Sequence, residues 1–100
     1  MDEILFEWDE AKSKINAQKH GVTFQEARTV FQDDYALVIP DTEHSQDEDR
    51  FIILGLSVLA NMLVVCHCCR GEDDVIRIIS ARKATTAETR QYMNRRGDSS

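Results

Sequence analysis

Proline occurs once and glycine four times in these 100 residues, which excludes collagen-like repeats and Pro/Gly-rich low-complexity segments. Aromatic residues make up only 7%, yet the hydrophobic share is 42%, enough for one core and too much for a disordered chain. No apolar run approaches the roughly 20 residues that span a bilayer. The acidic start Met1-Asp2-Glu3 lacks the basic segment and apolar run of a secretory signal. The expectation is a soluble cytoplasmic protein with no membrane role. Three cysteines, crowded at 66, 68 and 69, form no spaced disulfide framework and suit a reducing compartment. There is no Ser-His-Asp spacing, phosphate-binding glycine loop or His-Glu-x-x-His, which removes several enzyme classes.

Positive charge is also scarce: 12 Lys and Arg stand against 18 Asp and Glu, a net charge of −6. That total disfavours a polyanionic partner, but it averages two unlike halves. Residues 1–49 hold 13 acids and 4 bases, whereas residues 50–100 hold 5 acids and 8 bases. Residues 33–49 carry seven acids and no Lys or Arg; residues 76–96 carry six bases (Arg77, Arg82, Lys83, Arg90, Arg95, Arg96) against Glu88 alone. A local basic face on an acidic protein is therefore expected, unless the fold interleaves these arginines with the acids of residues 33–49.

Residues 4–6 read as a short strand. Asp9 is a helix N-cap, and the helix that follows stops at Gly21 after His20, whose imidazole suits the negative end of the dipole. Thr23-Phe24-Gln25-Glu26 fits a capping box, with Val22 and Ala27 spaced as a hydrophobic staple. Residues 36–39 form a strand ending at Pro40, and residues 41–49 a loop. Residues 51–56, 62–69 and 75–80 form three further strands, and Thr85-Thr86-Ala87-Glu88 opens a last helix reaching about Arg95. The predicted order is β-α-α-β-β-β-β-α: an α+β domain over residues 1–96 with a frayed tail at 97–100. Its small, mostly antiparallel sheet carries two N-terminal helices and a C-terminal one. The nearly continuous apolar runs predict cover on much of both sheet faces.

Cys66-His67-Cys68-Cys69 invites a zinc reading, but strand alternation sends Cys66 and Cys68 to one face and His67 and Cys69 to the other. The cysteines are expected as buried small hydrophobes, with no metal and no cofactor. Arginine remains. Centring the hairpin turn on Glu72-Asp73 places 68 opposite 77 and 67 opposite 78. Arg77, inside an apolar strand, must reach solvent, an acid or a phosphate. Arg77 and Arg82 are five apart and share a face only if the strand breaks near Ser80.

Phe6-Glu7-Trp8-Asp9-Glu10-Ala11-Lys12, Asn16, the run from Lys19 to Ala27, and Arg77-Ile78-Ile79-Ser80-Ala81-Arg82-Lys83-Ala84 with Glu88 and Tyr92 closely resemble the BrnT family. These are toxins of a bacterial type II toxin–antitoxin system, and the likeness keeps the family's order and spacing over residues 6–92. The resemblance implies a RelE-like ribonuclease fold and translation arrest by RNA cleavage. It further implies neutralisation by a BrnA antitoxin with a ribbon-helix-helix domain, so that DNA is reached only through that partner. The chain departs from the family at Cys68 and Cys69, at the turn Val58-Leu59-Ala60-Asn61, where a more polar, Gly-containing turn is usual, and at Thr89.

Metal-independent RNA cleavage must deprotonate the 2′-hydroxyl, stabilise the phosphorane charge and protonate the 5′-oxygen. Arg77 and Arg82 are the expected phosphate ligands, with Arg70 and Lys83 in support, because a planar fork matches phosphate oxygens. Glu72 and His67 are the candidate general base or acid. Lys83, Arg90 and Tyr92 are the candidate RNA contacts, Tyr92 either stacking on a base or packing the last helix. A second reading is a catalytically inactive module that binds an antitoxin and tunes its DNA binding.

Overall fold

The Asp9 carboxylate accepts hydrogen bonds from the backbone N–H groups of Ala11 and Lys12 at 2.9 and 3.3 Å, satisfying donors that a helix start leaves without partners. In the computed structural model, which describes residues 4–44, 49–70 and 75–97, this helix, α1, spans Glu10–His20. It ends at Gly21 in the left-handed region at φ 72°, where glycine has no Cβ to clash. Before it lies β1, Phe6–Glu7; Ile4 and Leu5 fall outside the strand and are half exposed. Helix α2, Phe24–Thr29, is capped by the Thr23 hydroxyl and continues into a 3-10 turn, Val30–Gln32. Only half of its expected capping box forms. Glu26 gives its backbone N–H to Thr23, but its carboxylate accepts instead from Ser57 Oγ and Asn61 Nδ2, at 2.7 and 2.8 Å.

Four strands follow: β2 (Leu37–Pro40), β3 (Arg50–Leu56), β4 (Met62–Arg70) and β5 (Val75–Lys83), with a 3-10 turn, Thr42–His44, between β2 and β3. Helix α3, Thr86–Arg96, opens on a complete Thr85/Glu88 capping box and closes on Gly97 at φ 88°. The element order is the predicted one. The sheet runs β1-β5-β4-β3-β2; β2 to β5 pair antiparallel and β1 joins the β5 edge in parallel.

The β4–β5 register pairs Cys68 with Arg77 and His67 with Ile78, as predicted, but Cys66 pairs with Ser80. Ile79 is thus an extra residue on β5, a bulge that lets the strand continue to Lys83 instead of ending at Ser80. On one face Ile53, Leu63, Val65, Ile78 and Ala81 pack with Val22, Phe24, Ala27 and Val30 from the α1–α2 layer. On the other, Leu54 and Val64 pack under Tyr92 of α3. The expected cover on both faces holds only in part. Helix α3 covers one end of the second face, and Val38 and Ile39 of the β2 edge are each 55% exposed.

Beyond β1, the free edge of β5 is closed by a side chain. Buried Asn16 donates from Nδ2 to the Val22 and Ala81 carbonyls at 2.9 and 2.8 Å and accepts at Oδ1 from the Ala81 N–H at 3.1 Å. The amide mimics one residue of a neighbouring strand and locks α1 to the segment carrying Ser80 and Arg82. In the β3–β4 turn Ala60 sits at φ 64°, where an L side chain is strained by about 1–2 kcal/mol. Ala60→Gly is expected to stabilise by up to about 1 kcal/mol, the relieved strain less the larger unfolded-state entropy of glycine, read as a higher urea midpoint at unchanged m-value.

Candidate active site

The uncovered half of the second sheet face forms an open cleft of about 430 Å³. Its floor is Ile52, Val64, Cys66 and Ser80; Asp41, Glu43 and Arg50 stand at the β2–β3 side, and Arg82 and His20 at the β5 and α1 side. The bulge at Ile79 creates this arrangement. Arg77 pairs with Cys68 and Arg82 with Val64, two positions of equal parity on β4, so both arginines face the cleft side, separated by about 13 Å of strand.

Each arginine is already ion-paired. Arg82 makes a fork to Glu88 of α3, Nη1 to Oε1 at 2.8 Å and Nη2 to Oε2 at 2.9 Å, and Nη1 also donates to the Lys83 carbonyl at 3.3 Å. The two Arg82 hydrogen bonds hold the Glu88 carboxyl down to about 2, and the pair raises Arg82 in turn, so both groups stay charged. Arg77 pairs with Glu7 of β1 at 2.8 Å, and it does not line the cleft. These partners lie outside residues 33–49, but Asp41 and Glu43 do share the cleft with Arg82 and Arg50. The cleft face is thus bipolar, not the local basic face expected.

Several predicted site residues lie elsewhere. His67 points to the opposite face, 4% exposed, with its ring edge-on to Phe31 at 4.8 Å. Burial pushes its imidazole below the usual value, so it is a neutral core residue. Tyr92 is 1% exposed beneath α3 and donates from Oη to Asp33 Oδ2 at 2.7 Å, so it packs the helix and cannot stack on a base. Lys83 is exposed at the end of β5, paired with Leu63 of the α1–α2 face, and Arg90 is exposed on α3. Neither lines the cleft. Arg70 ends β4, with its side chain outside the described residues, as is all of Glu72. Of the cysteines only Cys68 is a buried hydrophobe. Cys69 is exposed, and half-buried Cys66 directs its thiol at Asp41 Oδ2, 3.8 Å away; burial, then the Asp41 charge, pushes that thiol up.

Sequence reasoning read His20 as a helix cap, and missed Asp41, Glu43, Arg50 and Ser80 as cleft residues. Their meeting depends on the bulge and on the packing of α1 against β5.

Burial would raise Asp33, but hydrogen bonds from the Leu56 N–H, the Tyr92 hydroxyl and the Tyr35 N–H, with the Arg96 charge, hold it below the usual value. Tyr92 is pushed up to about 12 by burial, then by its bond to Asp33. The signs are opposite at the two ends of the pH scale. Glu88, depressed on folding, stabilises fully above its ordinary 4.5, a contribution lost as pH falls towards 2. Tyr92, raised on folding, stabilises fully below its ordinary 10, a contribution lost as pH rises towards 12. In thermal melts, the gap between wild type and Glu88→Gln should narrow on the acid side, and that for Tyr92→Phe on the alkaline side and also in acid as Asp33, the acceptor of its hydroxyl, becomes protonated.

No helix among the described residues is long and apolar enough to cross a membrane. Residues 8–88 match the model of the family described as the ribonuclease toxin BrnT of type II toxin–antitoxin systems. A crystal structure of the Brucella abortus ribonuclease toxin BrnT is similar in fold, with a TM-score of 0.65 and 23% identity over 84% of this chain and 100% of that one. No curated protein matches the chain. The family match begins at Trp8, just before α1, and ends at Glu88, the partner of Arg82: this chain belongs to the BrnT family of type II toxin–antitoxin ribonuclease toxins.

Proposed function

We propose that this chain is a metal-independent endoribonuclease that works in the cytoplasm and arrests translation by cutting RNA. The observation that carries this reading is Arg82, a guanidinium held by Glu88 at the mouth of a cleft that also presents His20 and Ser80. In the reaction the ribose 2′-oxygen attacks phosphorus and the bond to the 5′-oxygen breaks. The 2′-hydroxyl proton goes to a base, and an acid returns one to the leaving oxygen, leaving a 2′,3′-cyclic phosphate and a 5′-hydroxyl. Arg82 keeps N–H groups beyond those given to Glu88 and Lys83, and these stabilise the charge that builds on the phosphate oxygens. His20 supplies an imidazole, the side chain suited to taking or giving a proton near neutral pH. Ser80 offers a hydroxyl to the same phosphate. Arg77 holds a phosphate further along the strand, Arg70 and Lys83 support from the opposite ends of the β4–β5 pair, and Arg90 touches RNA outside the cleft. Glu72 retains a proton-transfer role, whereas buried His67 takes none.

The partner is a BrnA-like ribbon-helix-helix antitoxin that blocks the cleft, and DNA is engaged only through it. The pairing of both arginines with carboxylates supports a second reading, a silent module that binds this antitoxin and tunes its grip on DNA. Inducible expression with and without the neighbouring small gene, together with RNA cleavage by the purified chain in EDTA, separates the two. Growth arrest relieved by the neighbour, with cleavage that EDTA leaves intact, supports the nuclease; tight partner binding with no cleavage supports the silent module.

A further inference from the structure

A second groove, of about 230 Å³, adjoins the cleft and shares His20, Ile79 and Ser80 with it. Lys12, Ile15, Asn16 and Lys19 complete its lining. These four positions fall on one face of α1, being spaced three, four and seven residues apart. Glu10 and Lys14 lie roughly opposite, and Glu10 is held there by Trp8 Nε1 at 2.7 Å. Lys12 and Lys19 are exposed and make no ion pair among the described residues. Ile15 is 61% exposed between them, and Asn16 spends its amide on the backbone beneath. The continuous trough is therefore polarised. Asp41 and Glu43, with Arg50 beside them, leave the β2–β3 end net acidic, and His20, Lys19 and Lys12 lead away from the other.

Building on the ribonuclease reading, we propose that the RNA strand leaves the cleft past His20 and Ser80, over the Ile79 bulge, and runs along α1. Lys12 and Lys19 hold successive phosphates there and Ile15 supports a base. The far end, where Asp41 and Glu43 outnumber Arg50, disfavours phosphate and so the opposite exit. The path also accounts for a polyanion binding to a chain of net charge −6. Its cations come from the helix in the acidic half of the sequence as well as from β5.

The test measures binding of a short single-stranded RNA with 2′-O-methyl riboses, which lack the attacking hydroxyl, across a salt series. For a single strand, each lost phosphate contact lowers the slope of log affinity against log salt by about 0.7. Lys12→Gln with Lys19→Gln should therefore lower the slope by about 1.4. Lys14→Gln, which removes an equal charge from the far side of α1, should leave it unchanged, as should Lys12→Arg with Lys19→Arg. An unchanged slope in the double Gln variant, an equal loss in Lys14→Gln, or no binding by the wild type overturns the path. A wild type that binds with this lysine dependence yet leaves unmodified RNA intact overturns the nuclease reading and supports the path as an RNA-binding surface.

Discussion

Arg82→Ala is expected to lower RNA cleavage by at least about 100-fold, the scale of losing one charge-stabilising donor aimed at the transition state. The protein should remain folded, because the Arg82 side chain is 42% exposed and a pair so placed contributes on the order of 0–1 kcal/mol. Arg82→Lys should recover little, since an ammonium cannot hold Glu88 and a phosphate through one planar fork. Glu88→Gln keeps the cation and loosens its placement, so it should fall between wild type and Arg82→Ala. Arg77→Ala, away from the cleft lining, should weaken RNA binding more than turnover. Single-turnover cleavage at saturating RNA, with melting curves for each variant, measures these effects separately. Loss of cleavage that simply tracks loss of fold would contradict the role given to Arg82.

Asn16→Ala should be among the most destabilising single changes, on a par with truncation of a buried core side chain. It deletes three hydrogen bonds and leaves the Ala81 N–H and two carbonyls without their partner at a site where Asn16 is 7% and Ala81 1% exposed. One buried unsatisfied group costs about 1–3 kcal/mol, so a total of about 3–5 kcal/mol is expected after partial hydration of the gap. That is a large fraction of the roughly 5–15 kcal/mol of a typical domain. Asn16→Asp should fare no better, because a carboxylate accepts from the Ala81 N–H but repels the two carbonyls. Urea denaturation reads the loss as a lower midpoint. Because Ala81 lies between Ser80 and Arg82, amide exchange at Ala81 should accelerate before the rest of β5 opens.

What the sequence shows directly is local. Asp9, Gly21 and Thr85 mark helix ends through their own side chains or through the lack of one, and each stands where expected, whereas Gly97, expected in a frayed tail, closes α3. The β4–β5 register from Arg70 to His67 follows from counting outward from one turn, and fails beyond the bulge. The parity of Arg77 and Arg82 could not be read, because it depends on a bulge whose cause lies in α1: Asn16 holds Ala81, 65 residues away, while the hairpin fixes Ile78 from the other side. Glu26 misled for a similar reason. Its spacing from Thr23 fits a capping box, yet Ser57 and Asn61 take its carboxylate from across the fold. His67 and Tyr92 carry polar atoms in apolar surroundings, and only packing separates a site residue from a core one. His20 shows the converse, a helix-end residue that tertiary packing brings to a cleft.

The chemistry of the new RNA ends tests the account most directly. Cleavage by the purified chain in EDTA should yield a 2′,3′-cyclic phosphate and a 5′-hydroxyl, the products of attack by the neighbouring 2′-oxygen. Fragments ending in 5′-phosphate and 3′-hydroxyl, or cleavage that EDTA abolishes, would contradict it.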